Sequence, residues 1–258
     1  MSDDRVDLAF DGPIARLTLK RADKLNALDR AMIVALARAV EAIEEARDVR
    51  VAILSGEGKA FCAGGDIAAW SGLPPLDMWR DWTRLGHRAF EALARLRVPL
   101  IVALTGHAFG GGLELAATAD IRIAEIGIRL GLPETALGMA PGWSGTQRLV
   151  RRFGAQVVRR MALGGEMFEA KEALRLGLVD EAVAPGQALA RASAIARDVA
   201  ARGPVAAQIV KSMINAAEGE DVDAPIEALA GALTATTHDL GEGVAAFRAK
   251  RPARFEGR

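Results

Sequence analysis

The chain has 258 residues, 51% of them hydrophobic, with 33 basic side chains against 33 acidic ones. This allows a sizeable core, and the balanced charge argues against a dominant nucleic-acid or anionic-membrane surface. One cysteine excludes an intramolecular disulfide and, with three histidines, argues against a structural zinc site.

The start, MSDDRVDLAF, is acidic and has neither a basic n-region nor a long apolar run. It reads as no targeting segment. No window approaches eighteen apolar residues, so no membrane span is expected, and the expected location is cytoplasmic. Residues 14–20 (IARLTLK) alternate and predict a strand. After the turn-rich RADKLN, residues 29–46 carry Met32, Ile33, Leu36, Val40 and Ile43 on one helical stripe. Two β-branched runs, 49–54 and 98–104, stop at Ser55-Gly56 and Thr105-Gly106. Between them SGLPPLDMWRDW reads as a loop, a candidate lid, leading into a helix that ends near Arg97. A strand is predicted at 121–124, and helices at 145–153, 157–163 and 169–176, the last stopped by Gly177. From about Leu189 only alanine-rich helix remains. Alternating strands and helices predict an α/β fold with largely parallel pairing, followed by a helical appendage.

The two β-branched strands continue alike. SGEGKAFCAGGDI and TGHAFGGGLEL each run from Ser/Thr-Gly through a phenylalanine (Phe61, Phe109) to a glycine cluster that opens a helix. A phosphate-binding P-loop needs Lys-Ser/Thr after its last glycine, and Leu113-Glu114 stand there instead. The spacing of a dinucleotide fingerprint is also missing. Two readings remain. The clusters pack backbone tightly against helix, or each loop offers one bare N–H, giving a two-donor oxyanion hole.

Glu114, two residues after Gly112, falls in the first turn of its helix, where an acid stabilises the dipole. The apolar Leu113, Leu115, Ala116 and Ala117 around it would also desolvate it, raise its pKa and suit it to acid/base work. Glu134 after Pro133 is a routine first-turn acid, yet two carboxylates near glycine loops can perform paired acid/base chemistry. His107 reads as a capping or packing residue, Cys62 as small core, and Asp66 as an N-cap. Asp120 reads as structural and Trp143 as core or pocket wall.

KAFCAGGDI (59–67), HAFGGGLELAATADIRIA (107–124), LGLPETALGMAPGWSGTQRL (130–149) and EALRLGLVDEAV (172–183) resemble, in order, the signature blocks of the crotonase superfamily, closest to enoyl-CoA hydratase. The likeness runs from RADKLNAL (21–28) to AAFRAKRPARF (245–255). It implies a spiral α/β core of repeated ββα units over residues 1–195 and a helical trimerisation region over 196–258. It implies reversible addition of water to a trans-2-enoyl-CoA, with the amides of Gly65 and Gly111 as oxyanion hole. Glu134 would exchange the proton at C2, and Glu114 would activate the water. The coenzyme A arm would lie along Ala63 and Gly65, Asp66, Ile67 and Ala68, with Gly142 and Trp143 beside the acyl group and Lys24 and Lys250 as phosphate contacts. No metal or redox cofactor is implied, and the expected partners are an acyl-CoA thioester and further copies of the chain, as homotrimer or homohexamer. Other crotonase reactions (isomerisation, dehydration of a specialised hydroxyacyl-CoA, carbon–carbon cleavage) and an RNA-binding or scaffold member are the alternatives. Trp143 departs from the small residue usual in the family's PGAGGTQ stretch, and Thr105 from a frequent asparagine.

Overall fold

The computed structural model describes residues 4–258; residues 1–3, which begin the acidic start read above as no targeting segment, lie outside the described residues. Ten strands form two sheets. In the larger one, strands β1 (Val6–Asp11) and β2 (Ile14–Leu19) are antiparallel, and β3 (Val51–Gly56), β5 (Leu100–Leu104), β7 (Ile121–Glu125) and β10 (Glu181–Val183) add in parallel, in the order β1-β2-β3-β5-β7-β10. Four of these strands, β2, β3, β5 and β7, follow the predicted runs, and β1 and β10 add to them. Strands β3 and β5 are buried along their whole length, which explains their unbroken apolar sequences. The smaller sheet joins β4 (Ala60–Cys62), β6 (His107–Phe109), β8 (Arg129–Gly131) and β9 (Phe168–Glu169). Both Phe61 and Phe109 lie in these short strands. The two matching loops therefore each give one strand to each sheet.

Helix α1 (Arg30–Glu45) is N-capped by Asp29, whose carboxylate accepts from the Met32 amide at 3.0 Å. It buries the expected stripe from Met32 to Ile43. The lid stretch keeps the expected loop only over residues 71–74 and is otherwise helical: α2 (Ile67–Trp70), α3 (Pro75–Asp77), a π-helical stretch (Met78–Thr83) and α4 (Arg84–Ala94). Then come α5 (Gly111–Ala116), α6 (Gln147–Phe153), α7 (Ala155–Ala162) and α8 (Ala170–Arg175), the last followed by Gly177 at a φ of +74°. Helix α9 (Ala188–Ala200) buries Ala188, Ala192, Ala196 and Ala200 against Ile14, Val51, Ile53 and Ile101 of the large sheet. Small side chains at i, i+4 spacing bring this helix close to the strands.

One compact unit runs to Lys211 and a second covers Ser212–Arg258; residue 195, the expected end of the core, lies within α9. The boundary falls within the residues of α10 (Pro204–Ala217). Within the first unit, buried Lys211 pairs with Asp120 at 2.8 Å and donates to the Val98 carbonyl at 3.0 Å. The second unit contains α11 (Asp223–Ala235) and α12 (His238–Arg248). Arg251 closes on Glu242 at 2.7 Å and holds its carboxyl down at about 2. Among the described residues, no helix is long and apolar enough to cross a membrane.

The RADKLN turn ties the first glycine loop to the core. Asn26 is fully buried at a φ of +54°, which asparagine tolerates better than most side chains. Its amide nitrogen donates to the carbonyls of Glu57 and Ala60, both at 2.9 Å, and its oxygen accepts from the Arg21 amide at 2.8 Å. Next to it, Leu28 N–H donates to Gly64 and Asp66 N–H to Leu28, both at 2.8 Å. Replacing Asn26 with alanine takes the partner from three backbone groups, the Ala60 carbonyl in a fully buried bond, and urea titration should show a loss of about 1–3 kcal/mol of unfolding free energy.

Candidate active site

The three glycines at 110–112 each serve a different neighbour. Gly110 has a φ of +53°, and a Cβ there would lie 2.7 Å from a Glu134 carboxylate oxygen. A Cβ on Gly111 would lie 2.6 Å from the Trp143 ring and 3.4 Å from the Gly65 amide nitrogen. On Gly112 it would run into the Cys62 carbonyl. The two glycine loops therefore approach closely, with the Gly65 amide nitrogen next to Gly111 and the Gly111 amide nitrogen next to Gly64. As the first residue of α5, Gly111 has an N–H with no acceptor inside the helix.

A cavity of about 140 Å³ opens at this point. Its walls include Gly65, Gly111, Glu114, Glu134, Gly142 and Trp143. Glu114 is 2% exposed, and its Oε1 accepts from the amides of Trp143 at 2.7 Å and Gly145 at 2.6 Å. Glu134 begins a 3₁₀ turn (Glu134–Leu137), and its Oε2 is enclosed without a hydrogen-bond partner. Burial is the main force on both acids. It pushes Glu114 from 4.5 up to about 7, helped by the charge of Glu134; the Trp143 and Gly145 amides and the Arg148 guanidinium pull the other way. Glu134 is also raised, by burial.

Part of the remaining wall is an aromatic cluster. Trp143, 4% exposed, meets Trp82 at a ring separation of 5.3 Å and Phe90 edge-on at 5.3 Å. Trp70, Met78 and Trp82 of the lid stretch also line the cavity. The sequence marks this stretch as a candidate lid, but the alternation of tryptophans gives no direction for any one ring.

Of the other residues singled out in the sequence, Ala63 and Ile67 line the cavity, whereas Lys24, Asp66, Ala68 and Lys250 are not among its walls. Asp66 caps α2 by accepting from the Ala68 amide at 3.0 Å, and it pairs with Arg21 at 2.8 Å. His107 stacks on Phe109 and accepts the Arg129 amide through Nδ1 at 2.9 Å. Cys62 is buried, and desolvation pushes its thiol up to about 12. The arginines between residues 148 and 160 are largely engaged by their own neighbours. Arg148 is buried, Arg152 donates to the Ala117 carbonyl at 2.8 Å, and Arg160 pairs with Glu166 at 2.6 Å.

The chain matches the enoyl-CoA hydratase/isomerase family over residues 9–258. It belongs to that family. It is 34% identical over 258 residues to a crotonyl-CoA hydratase of Syntrophomonas wolfei, covering 99% of both chains. To a short-chain-enoyl-CoA hydratase of Clostridium acetobutylicum it is 35% identical, covering 95% of both. Among solved structures, Pseudomonas aeruginosa DspI matches with a TM-score of 0.83 at 33% identity, over 99% of this chain and 98% of that one. An enoyl-CoA hydratase from Bacillus anthracis matches with a TM-score of 0.81 at 32% identity, over 99% of this chain and 100% of that one. The crotonase-type fold and the hydratase-type enzyme expected from the sequence are thus both borne out.

The raised Glu114 also sets a pH dependence of stability in this hydratase-family fold. Its folded pKa of about 7 lies above the unfolded value of 4.5, so the stability of its neutral form is full below 4.5 and lost as pH rises through about 7. Glu114→Gln keeps an acceptor for the two amides and stays neutral. Thermal melts should show this variant several degrees more stable than the parent at pH ~8, with the gap closing toward pH ~5. A gap that does not change with pH would show that Glu114 carries no such penalty.

Proposed function

We propose that this chain hydrates short trans-2-enoyl-CoA thioesters at the cavity between its two glycine loops. The observation that carries this reading is the placement of two desolvated carboxylates, Glu114 and Glu134, in one cavity with the amides of Gly65 and Gly111. The thioester oxygen accepts from the two amides, which polarises the C2–C3 double bond. A water held by the carboxylates loses a proton to Glu114, and its oxygen bonds to C3. The π electrons move toward the thioester oxygen, and the resulting enolate charge is held by the amides. Glu134 then delivers its proton to C2, giving the 3-hydroxyacyl-CoA. One proton leaves Glu134 as another reaches Glu114, so the pair must carry one proton in the active state. The charge of Glu134 raises the Glu114 carboxyl, which disfavours ionising both acids at once.

The same proposal covers the surroundings. The mechanism requires neither metal nor redox cofactor, Lys24 and Lys250 remain candidate phosphate contacts, and the setting is cytoplasmic. Exposed Ile226, Leu233 and Phe247 support assembly of the helical Ser212–Arg258 region into trimers or hexamers. The crotonyl and short-chain names of the relatives support a short acyl group, as does the Trp143 ring seated against Gly111.

Three measurements test this reading. Glu114→Gln and Glu134→Gln should each lower crotonyl-CoA hydration by at least about a hundredfold while leaving the melting profile cooperative. Wild-type turnover by either variant would remove that acid from its role. In the parent, hydration should fall as pH drops through about 7, because Glu114 must be ionised to accept a proton. A limb near ordinary carboxylate values would contradict that assignment. Trp143→Ala should move the best substrate toward longer enoyl chains, read as kcat/KM over esters of graded length, and an unchanged ranking would show that the ring does not limit the chain.

A further inference from the structure

Helix α4 does more than fill space beside the cavity. Three of its side-chain positions bear on residues 143–144. Gly86 leaves the room that the Trp143 indole occupies, Phe90 meets that ring edge-on, and His87 Nδ1 lies 3.0 Å from the Ser144 hydroxyl oxygen. A fourth residue, Glu91, stands one helical turn beyond His87, with its Oε1 3.1 Å from Nε2. Ser144 is 5% exposed and holds a φ of +77°, a left-handed conformation that strains any side chain and that glycine adopts freely. What the serine gains over a glycine is the bond to His87.

We propose that His87, oriented by Glu91, is a positioning residue for hydration: by holding the Ser144 hydroxyl it fixes the turn whose flanking amides, Trp143 and Gly145, grip Glu114. The Glu91 carboxylate accepts the Nε2 proton, which leaves Nδ1 to accept from the serine hydroxyl. The order acid–imidazole–serine is that of a hydrolase triad, but here the hydroxyl faces α4 while Glu114 faces the cavity. The chain acts as a brace. Ser144 sits between the two donors, so any slack at its side chain moves both amides and the Trp143 ring together. The other charged groups acting on Glu114 are Glu134 and Arg148, and the carboxylate facing His87 is Glu91, itself 3.7 Å from Arg95.

This inference rests on Glu114 as the water-activating acid of the proposed function. The test is steady-state hydration of crotonyl-CoA across the neutral pH range by His87→Phe, His87→Asn, Ser144→Ala and the His87→Phe/Ser144→Ala double variant. His87→Phe and Ser144→Ala should each lower kcat about ten- to a hundredfold with little change in KM. The acid limb of kcat should move to higher pH, because loosened amides no longer hold the Glu114 pKa down. The double variant should be no worse than the poorer single, and His87→Asn, which keeps an acceptor near the Nδ1 position, should recover most of the rate. Unchanged kcat and an unmoved acid limb in both single variants overturn the brace, as does a loss confined to KM. If one single variant does not fold, the other carries the same test. Glu114→Gln run alongside separates the two ideas. Full activity there removes the function reading, whereas an inactive Glu114→Gln beside an unaffected His87→Phe removes only the brace.

Discussion

A buried carboxylate has to be satisfied, and Glu114 is satisfied by two amides from a turn about thirty residues away in the chain. That sharing of Oε1 between Trp143 and Gly145 joins α5 to the segment before α6. Without those donors, an acid at 2% exposure would be far costlier to ionise. Burial and amides thus pull the carboxyl in opposite directions, and burial wins by enough to leave it near neutrality. The site is tuned by that balance rather than by a single strong neighbour.

The backbone makes this balance possible by staying bare. At 110–112 the missing side chains make room, in turn, for a carboxylate, an indole ring and a carbonyl. The other loop answers from Gly65, where a Cβ would lie 3.0 Å from Trp82 and 3.2 Å from Trp143. The same tryptophan that donates an amide to Glu114 therefore also packs between the loops. Catalytic geometry and pocket shape share one residue, so neither can drift without the other.

Much of this was legible in the sequence, for physical reasons. Strands β3 and β5 are buried on both sides, so their composition alone marks them, and the α1 stripe has the period of a half-buried helix. Glu114 could be picked out because apolar neighbours surround it in sequence as well as in space. The second sheet was not legible. Strands of two or three residues, such as β9 at Phe168–Glu169, are too short to show a period. β1 was also missed, although Val6, Leu8 and Phe10 alternate along it; only Val6 and Leu8 pack on the core, and four of its six residues are exposed. The brace from α4 depends on His87 and Ser144 meeting across 57 positions of sequence, which no local pattern reports.

Cys62 ends the strand that leads into the first glycine loop, with its sulfur 3.2 Å from the Asn26 carbonyl. The thiolate is the form that reacts with oxidants and electrophiles, and a thiol pushed up to about 12 supplies almost none of it at neutral pH. The chain's single sulfhydryl thus lies beside the two glycine loops, buried and held in its thiol form. Burial and the scarcity of thiolate together make this sulfur a poor target for oxidants and alkylating reagents while the fold holds.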